Sequence, residues 1–444
     1  MGYGVAMTQL KLAAAWFGAI TLAAPAAAQP VEVAPLAAPD LFSAAGRDTG
    51  LPPELWRGTS AGVARAVFPL LAAKPLSPAA AALARRVLAA GANGPAGAGR
   101  DGALAGTRVA ALIAQGDLKA GATILSRTPG LERDSELSKA AAEAALLTRD
   151  DDRACSIAGA LGSGRDDIYW LRLRAYCQAR AGQASAAQLT FDLAQAKAAD
   201  ATYARLMGAK LGGAAKPGAA SLRNGLDYAL SRDLGLDLAA AKPAPAVAAA
   251  FSDADPGPPT WVVEPGPGEA RAALIALGAG DLARAQQIRA GLAQDPAAAA
   301  VSATDLAILD AALAVAAGKP DGPTLDRLVE RGGLGDPKAR ARPQTAALYL
   351  AALGAPLGEG PRAELAAFPV AEGKGSAARD LTLDLAAEAR RLGETALLAL
   401  WICADAGAAG PAPGDRTRIV RALGAVGLEA DARAFALEGL LALK

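Results

Sequence analysis

The chain has 444 residues, more than one ordinary hydrophobic core organises, so two or three domains or one extended array are expected. Hydrophobic residues make up 52% but aromatic residues only 4%, and much of the apolar content is Ala, the strongest helix former, which points to an all-α chain. There is no His, and 45 basic residues nearly cancel 44 acidic ones, which removes His-dependent catalysis and argues against a nucleic-acid partner.

The first residues have the pattern of an export signal. Lys11 supplies the positive start, Leu12 to Leu22 is an apolar run, and Ala26-Ala27-Ala28 offers a small-residue cleavage site before Gln29. The run is too short for a membrane helix, which needs about 20 apolar residues. Removing residues 1–28 leaves 44 basic and 44 acidic residues, so the expected mature chain is formally neutral. Nothing downstream is expected to span a membrane, and the expected location is the periplasm. Residues 29–50, rich in Pro and Ala, read as a flexible leader.

Helical patterns begin near Pro52 and continue through 58–74 and 77–91, with a Gly-rich loop at 92–102. From about 103 to 213 a turn recurs between two apolar helical stretches. A small residue stands five positions after each turn residue, in the pairs Gly116/Gly121, Asp150/Cys155 and Gly182/Ala187. The same spacing returns at Gly280/Ala285 and Gly427/Ala432, with weaker turns at Gly318, Gly354 and Gly393. A Gly or Asp tolerates the reversal, and the small residue sits where the second helix crosses the first. The step from 116 to 150 is 34 residues and from 150 to 182 is 32, a period that belongs to stacked paired-helix repeats.

Cys155 and Cys177 lie on neighbouring helices about one turn out of step across Gly162 to Asp167. A disulfide fits that placement and would stabilise by about 3 kcal/mol in the chain-entropy picture. Two buried thiols acting as small apolar residues fit it as well. Cys403, in an apolar run, reads as core.

Residues 214–268 break the repeat with many prolines and glycines. Asp253 to Gly268 cannot be continuous helix, because Pro lacks the amide donor and clashes with the preceding turn. A mobile linker and a strap docked on the helices both satisfy this. The apolar Trp261-Val262-Val263 favours the strap and makes Trp261 a candidate partner contact. Paired helices return from 269 to 444.

The block around Trp170 resembles tetratricopeptide repeats and their degenerate relatives. Trp170, Leu173 and Ala186 match the spacing of that family, with Arg174 and Cys177 standing where it has a small residue and Tyr, and Gly182 and Ala187 shifted by one. The resemblance implies a right-handed α-solenoid of paired antiparallel helices, interrupted here by the Pro/Gly-rich strap. It divides the chain into a helical-repeat domain at 51–213, the strap at 214–268 and a second helical-repeat domain at 269–444.

No Cys-x-x-Cys, phosphate-binding loop or dinucleotide fingerprint occurs, so no cofactor or metal site and no catalytic residue is assigned. Asp150-Asp151-Asp152 is the densest acidic cluster and reads as a cap on the helix that carries Cys155, since adjacent acids do not converge on one ion. Trp170 and Trp401 read as inter-helix core, and Arg172, Arg174 and Arg180 as a solvated row with packed stems. The functional expectation is a non-enzymatic exported scaffold that binds a protein or peptide in a preformed groove. By analogy with other exported repeat proteins, this is an assembly factor of an envelope machine such as a pilus, secretion system or flagellum. The competing reading is a cell-wall protein similar to lytic transglycosylases with a helical superhelix, for which Glu264 and Glu394 are the carboxylates to test.

Overall fold

The computed structural model describes residues 39–212, 216–251, 256–266, 268–294, 301–371, 373 and 375–443. The export-signal stretch 1–28, residues 29–38 of the leader, and Asp253 lie outside them. Among the described residues all regular structure is helical. The N-terminal half holds α1 (Ala61–Ala73), α2 (Pro78–Ala89), α3 (Gly102–Ala114), α4 (Leu118–Arg127), α5 (Ser135–Leu147), α6 (Asp151–Ala160), α7 (Ile168–Arg180), α8 (Ala184–Lys197), α9 (Ala201–Lys210), α10 (Gly225–Asp233) and α11 (Pro245–Ala249). The C-terminal half holds α12 (Glu269–Gly278), α13 (Leu282–Gln294), α14 (Ala303–Ala316), α15 (Gly322–Gly332), α16 (Pro337–Ala352), α17 (Pro361–Ala366), α18 (Ala377–Glu388), α19 (Leu392–Ala406), α20 (Pro413–Ala425) and α21 (Glu429–Leu441).

Two local devices make the hairpins. Asp side chains cap α3, α4, α5, α6, α9, α15 and α16 by accepting first-turn amides that have no partner within the helix. A left-handed residue then reverses the chain between partners, at Gly116, Gly182, Gly280 and Gly427. Two positions depart from the sequence reading. The left-handed residue between α5 and α6 is Arg149, φ 64°, and Asp150 is the N-cap that follows it, accepting from the Arg153 amide at 3.1 Å. Between α18 and α19 it is Arg390, φ 53°, whereas Gly393 lies inside α19 against the Leu55 carbonyl. With these corrections the turn step is 33 from 116 to 149 and again 33 from 149 to 182. The crossing residue five places on is then Ala154, fully buried, and not the half-buried Cys155.

At the crossings the demand for small side chains is direct. A Cβ on Gly121 would stand 2.5 Å from Ile113 Cγ1, so α3 and α4 approach only because that atom is missing. Ala187, Ala285 and Ala432 are likewise buried at the crossings of α7/α8, α12/α13 and α20/α21.

Residues 39–444 form one compact unit. α1, α3 and α5 pack in series, and so do α12, α14, α16, α20, α18 and α19. The second series returns to the first: α19 packs on α1 and α2, and α21 on α2 and α14. One apolar core therefore draws from both halves, from Phe42 to Leu441, and the boundaries drawn at 213 and 269 do not divide it. A second, smaller core joins α5, α6, α7, α9 and α10 around Trp170, Tyr176, Tyr203 and Met207.

Residues 39–50 correct the expectation of a flexible leader. Phe42 and Ala45 are buried, and Arg47 bridges in parallel to Ala90. The clamp is Arg108, 1% exposed, which donates to the carbonyls of Leu88 (2.6 Å), Ala90 (2.7 Å) and Phe42 (3.1 Å) and stacks on the Phe42 ring. Burial lowers the Arg108 pKa to about 10, with Asp40 opposing the shift, so the cation persists at neutral pH.

Leu392–Ala409 is the one stretch among the described residues long and apolar enough to cross a membrane by length and composition, a feature the sequence reading did not expect. Most of it is buried within the protein, where α19 packs on α1, α2 and α18.

Candidate functional site

A cleft of about 950 Å³ opens among the described residues. Three sources build it. The end of α1 supplies Ala73, Pro75 and Leu76, because Pro75 stops that helix; the end of α3 supplies Gln115 and Gly116. The third wall is the Pro-rich region, with Leu222, Arg223, Lys242, Pro243 and Pro245, closed by Pro256. The lining is mostly apolar, and among the described residues its charged side chains are Arg223 and Lys242.

The floor is held firmly. The Gln115 side-chain amide donates to the Leu71 carbonyl at 2.6 Å, tying α3 to α1, and Arg85 Nη1 donates to the Gln115 carbonyl at 3.1 Å. Burial lowers the Arg85 pKa against the pull of Asp117. At the far wall the Ala244 amide donates to the Leu222 carbonyl at 2.8 Å. Arg223 Nε donates to buried Asp227 at 2.6 Å and Nη2 to Asp200 at 3.1 Å; these bonds raise its pKa and offset its charge. The site is a mostly apolar trough whose edge groups, the Gln115 amide, the Ala244 amide and Arg223, are held by partners within the protein.

Next to it, a cleft of about 360 Å³ is lined by Arg47, Arg85, Arg86 and Asp117 on one side and by Pro256, Gly257, Pro258 and Pro259 on the other. Arg47 pairs with Asp117 at 2.6 Å, and Arg86 with Asp431. Pro256 lines both clefts.

Among the described residues singled out from sequence, Gly116 alone lines the main cleft. Cys155 and Cys177 are joined as a disulfide with Cα atoms 5.5 Å apart, in the smaller core and away from the cleft. The three acids do separate work: Asp150 caps α6, Asp151 pairs with Arg180 and Arg232, and Asp152 pairs with Arg180. Among the described residues no cluster of His, Cys, Asp or Glu is arranged to hold a metal. Glu394 is 6% exposed and accepts the Ser60 amide at 2.7 Å at the start of α1.

Trp261 does not stand out as a partner contact. It is half-buried against the large core, its amide donates to the Gly278 carbonyl at 2.8 Å, and its indole N–H donates to Glu438 at 3.1 Å. Its neighbour Val262 is the fully exposed residue, at 100%, and Val263 is buried. The strap is thus docked at 261–263.

Glu438 is the node of this junction. It is 6% exposed and accepts from the Ala79 amide at 2.8 Å, from Trp261, and from buried Arg416 at 2.7 Å. Ser77, the N-cap of α2, makes no capping bond of its own, so a carboxylate 359 residues away caps that helix.

Sequence reasoning missed the cleft because its third wall, from Leu222 onward, lies more than a hundred residues beyond the other two. The signal available was the run of prolines at 243–259, which removes amide donors where the walls turn. Comparison of the chain with protein-family models, curated proteins and solved structures yields no match, so the resemblance to tetratricopeptide repeats rests on its own residues.

Proposed function

We propose that this protein is an exported helical-repeat scaffold, a right-handed α-solenoid of the tetratricopeptide type, that binds a protein or peptide partner in the periplasm. The assembly of an envelope machine is the process this reading favours. The observation that carries it is the 950 Å³ cleft at the ends of α1 and α3, apolar along its length and edged by Arg223 and Lys242. A preformed trough of this kind holds an extended segment with little rearrangement, which lowers the entropic cost of binding. The export pattern at residues 1–28 supports the compartment.

A photocrosslinking residue at Ala248, which lines the cleft, tests the reading in cells. The expected result is a discrete crosslinked partner from position 248 and none from Leu381, an exposed residue on α18. Equal labelling from both positions, or none from either, contradicts it.

A further inference from the structure

The strap that crosses the molecule is attached unevenly. At 261–263 it is pinned by the Trp261 amide on Gly278, the indole N–H on Glu438 and the buried side chain of Val263. A Cβ on Gly278 would stand 2.5 Å from the Trp261 carbonyl oxygen, so the strap lies flush on the end of α12. Just before this anchor the attachment changes. Among the described residues, 256–260 make no backbone hydrogen bond, and Pro256, Pro258 and Pro259 have no amide to donate.

These loosely attached residues sit where binding would take place. Residues 256–259 form one wall of the smaller cleft, opposite Arg47, Arg85 and Arg86, and Pro256 lines the main cleft as well. Pro256 is the residue of this arm that the two cavities share. The opposing wall carries three guanidinium groups, which hold Asp117, Asp431 and the Gln115 carbonyl and keep further N–H groups beyond those bonds. Prolines present carbonyl acceptors and few donors, whereas a guanidinium carries five N–H groups and no acceptor. A proline-rich chain is already extended before it binds, so little entropy is lost when a trough receives it.

We propose that residues 256–259 occupy the groove as a built-in competitor, and that the natural partner presents an extended proline-rich segment that takes their place. This rests on the reading of the groove as a peptide-binding site. Trp261 then sets how tightly the competitor is held, through its bond to Glu438, without touching the partner.

The test uses the mature full-length chain and a fluorescent peptide, Pro-Gly-Pro-Pro-Thr-Trp-Val-Val, with limited proteolysis of the strap as a ligand-free readout. Trp261→Phe keeps an aromatic ring, though a smaller one, and removes the bond to a carboxylate; it is expected to speed strap cleavage and tighten peptide binding about tenfold. Val263→Ala loosens the same anchor without touching Glu438 and should move both readouts the same way. Val262→Ser, at the exposed position, should move neither, and a peptide with Ala for each Pro should not bind. Faster cleavage with unchanged peptide affinity would overturn the competitor while leaving the groove reading intact. Faster cleavage with no peptide binding to any form would sink the groove reading, and the competitor with it. Equal binding of the Ala peptide would overturn the proline-rich partner in favour of general apolar capture.

Discussion

The large core and the smaller core around Trp170 hold similar helical hairpins together by different means. The large core is built from Ala and Leu, with close crossings such as α3 on α4 at Gly121, and it joins helices from both halves. Its few charged groups are buried and fully engaged, as in Arg108 on three carbonyls and Arg416 on Glu438. The smaller core is built from Trp170, Tyr176, Tyr203 and Met207 and is reinforced from outside the packing. The Cys155–Cys177 disulfide links α6 to α7, and Asp151 and Asp233 gather Arg180, Arg232 and Lys210 at its edge. Its outer helix α8 leaves Leu189 and Leu193 at 73% and 55% exposure. Where helices are covered on both sides, packing suffices; where the stack ends, covalent and ionic ties take over.

The contrast is easiest to break at Glu438. Glu438→Ala leaves Arg416 buried and unpaired and removes the cap of α2, so a loss of about 3–5 kcal/mol is expected in denaturant unfolding. A loss under about 1 kcal/mol would mean that the junction of the two halves does not depend on this node. Replacing Cys155 and Cys177 by Ser opens a link that spans 22 residues and should cost about 3 kcal/mol, felt in the smaller core alone. Equal loosening of α1 and α19 would show that the two cores are one unit. Gly121→Val forces a side chain into Ile113 and should cost about 2–3 kcal/mol, read from the melting temperature.

A pH titration sharpens the comparison further. Burial raises the pKa of Glu143, beside Tyr169, above the usual Glu value even though its carboxylate accepts the Gly225 amide at 2.6 Å. A raised folded pKa means that this group's contribution is full below the unfolded value and is lost as pH rises through the folded one. Asp200 has the opposite sign: burial pushes its pKa up, but the Tyr203 amide and Arg223 outweigh it and lower it, so its contribution is lost as pH falls below the usual Asp range. Glu143→Gln should therefore flatten the decline of smaller-core stability above about pH 4.5, the ordinary Glu range, measured by Trp170 fluorescence. The smallest effect is expected at the surface, where Leu189→Gln should change stability by less than about 0.5 kcal/mol.

The helices and most hairpin turns are legible in the sequence because their causes are local. An Asp before an apolar stretch, a Gly after one and an Ala five residues on are visible in any short window. Arg149 and Arg390 escape that reading because a non-Gly residue in the left-handed region has no local signature. The junction escapes it for a different reason. The bond from Ala79 to Glu438 spans 359 residues, and α19 meets α1 across more than three hundred, so no window holds both partners. Trp261 reads as an outward contact because its strap has no core of its own; the core it uses belongs to helices elsewhere in the chain.

Native-state hydrogen exchange in increasing urea, with the disulfide reduced, tests the central claim most directly. The account predicts that α1, α3, α19 and α21 open together as the most protected unit and that α6 to α9 open earlier, at lower free energy. Separate opening of α1–α5 and α19–α21 would contradict a core shared between the two halves, and with it the rigid floor on which the cleft is built.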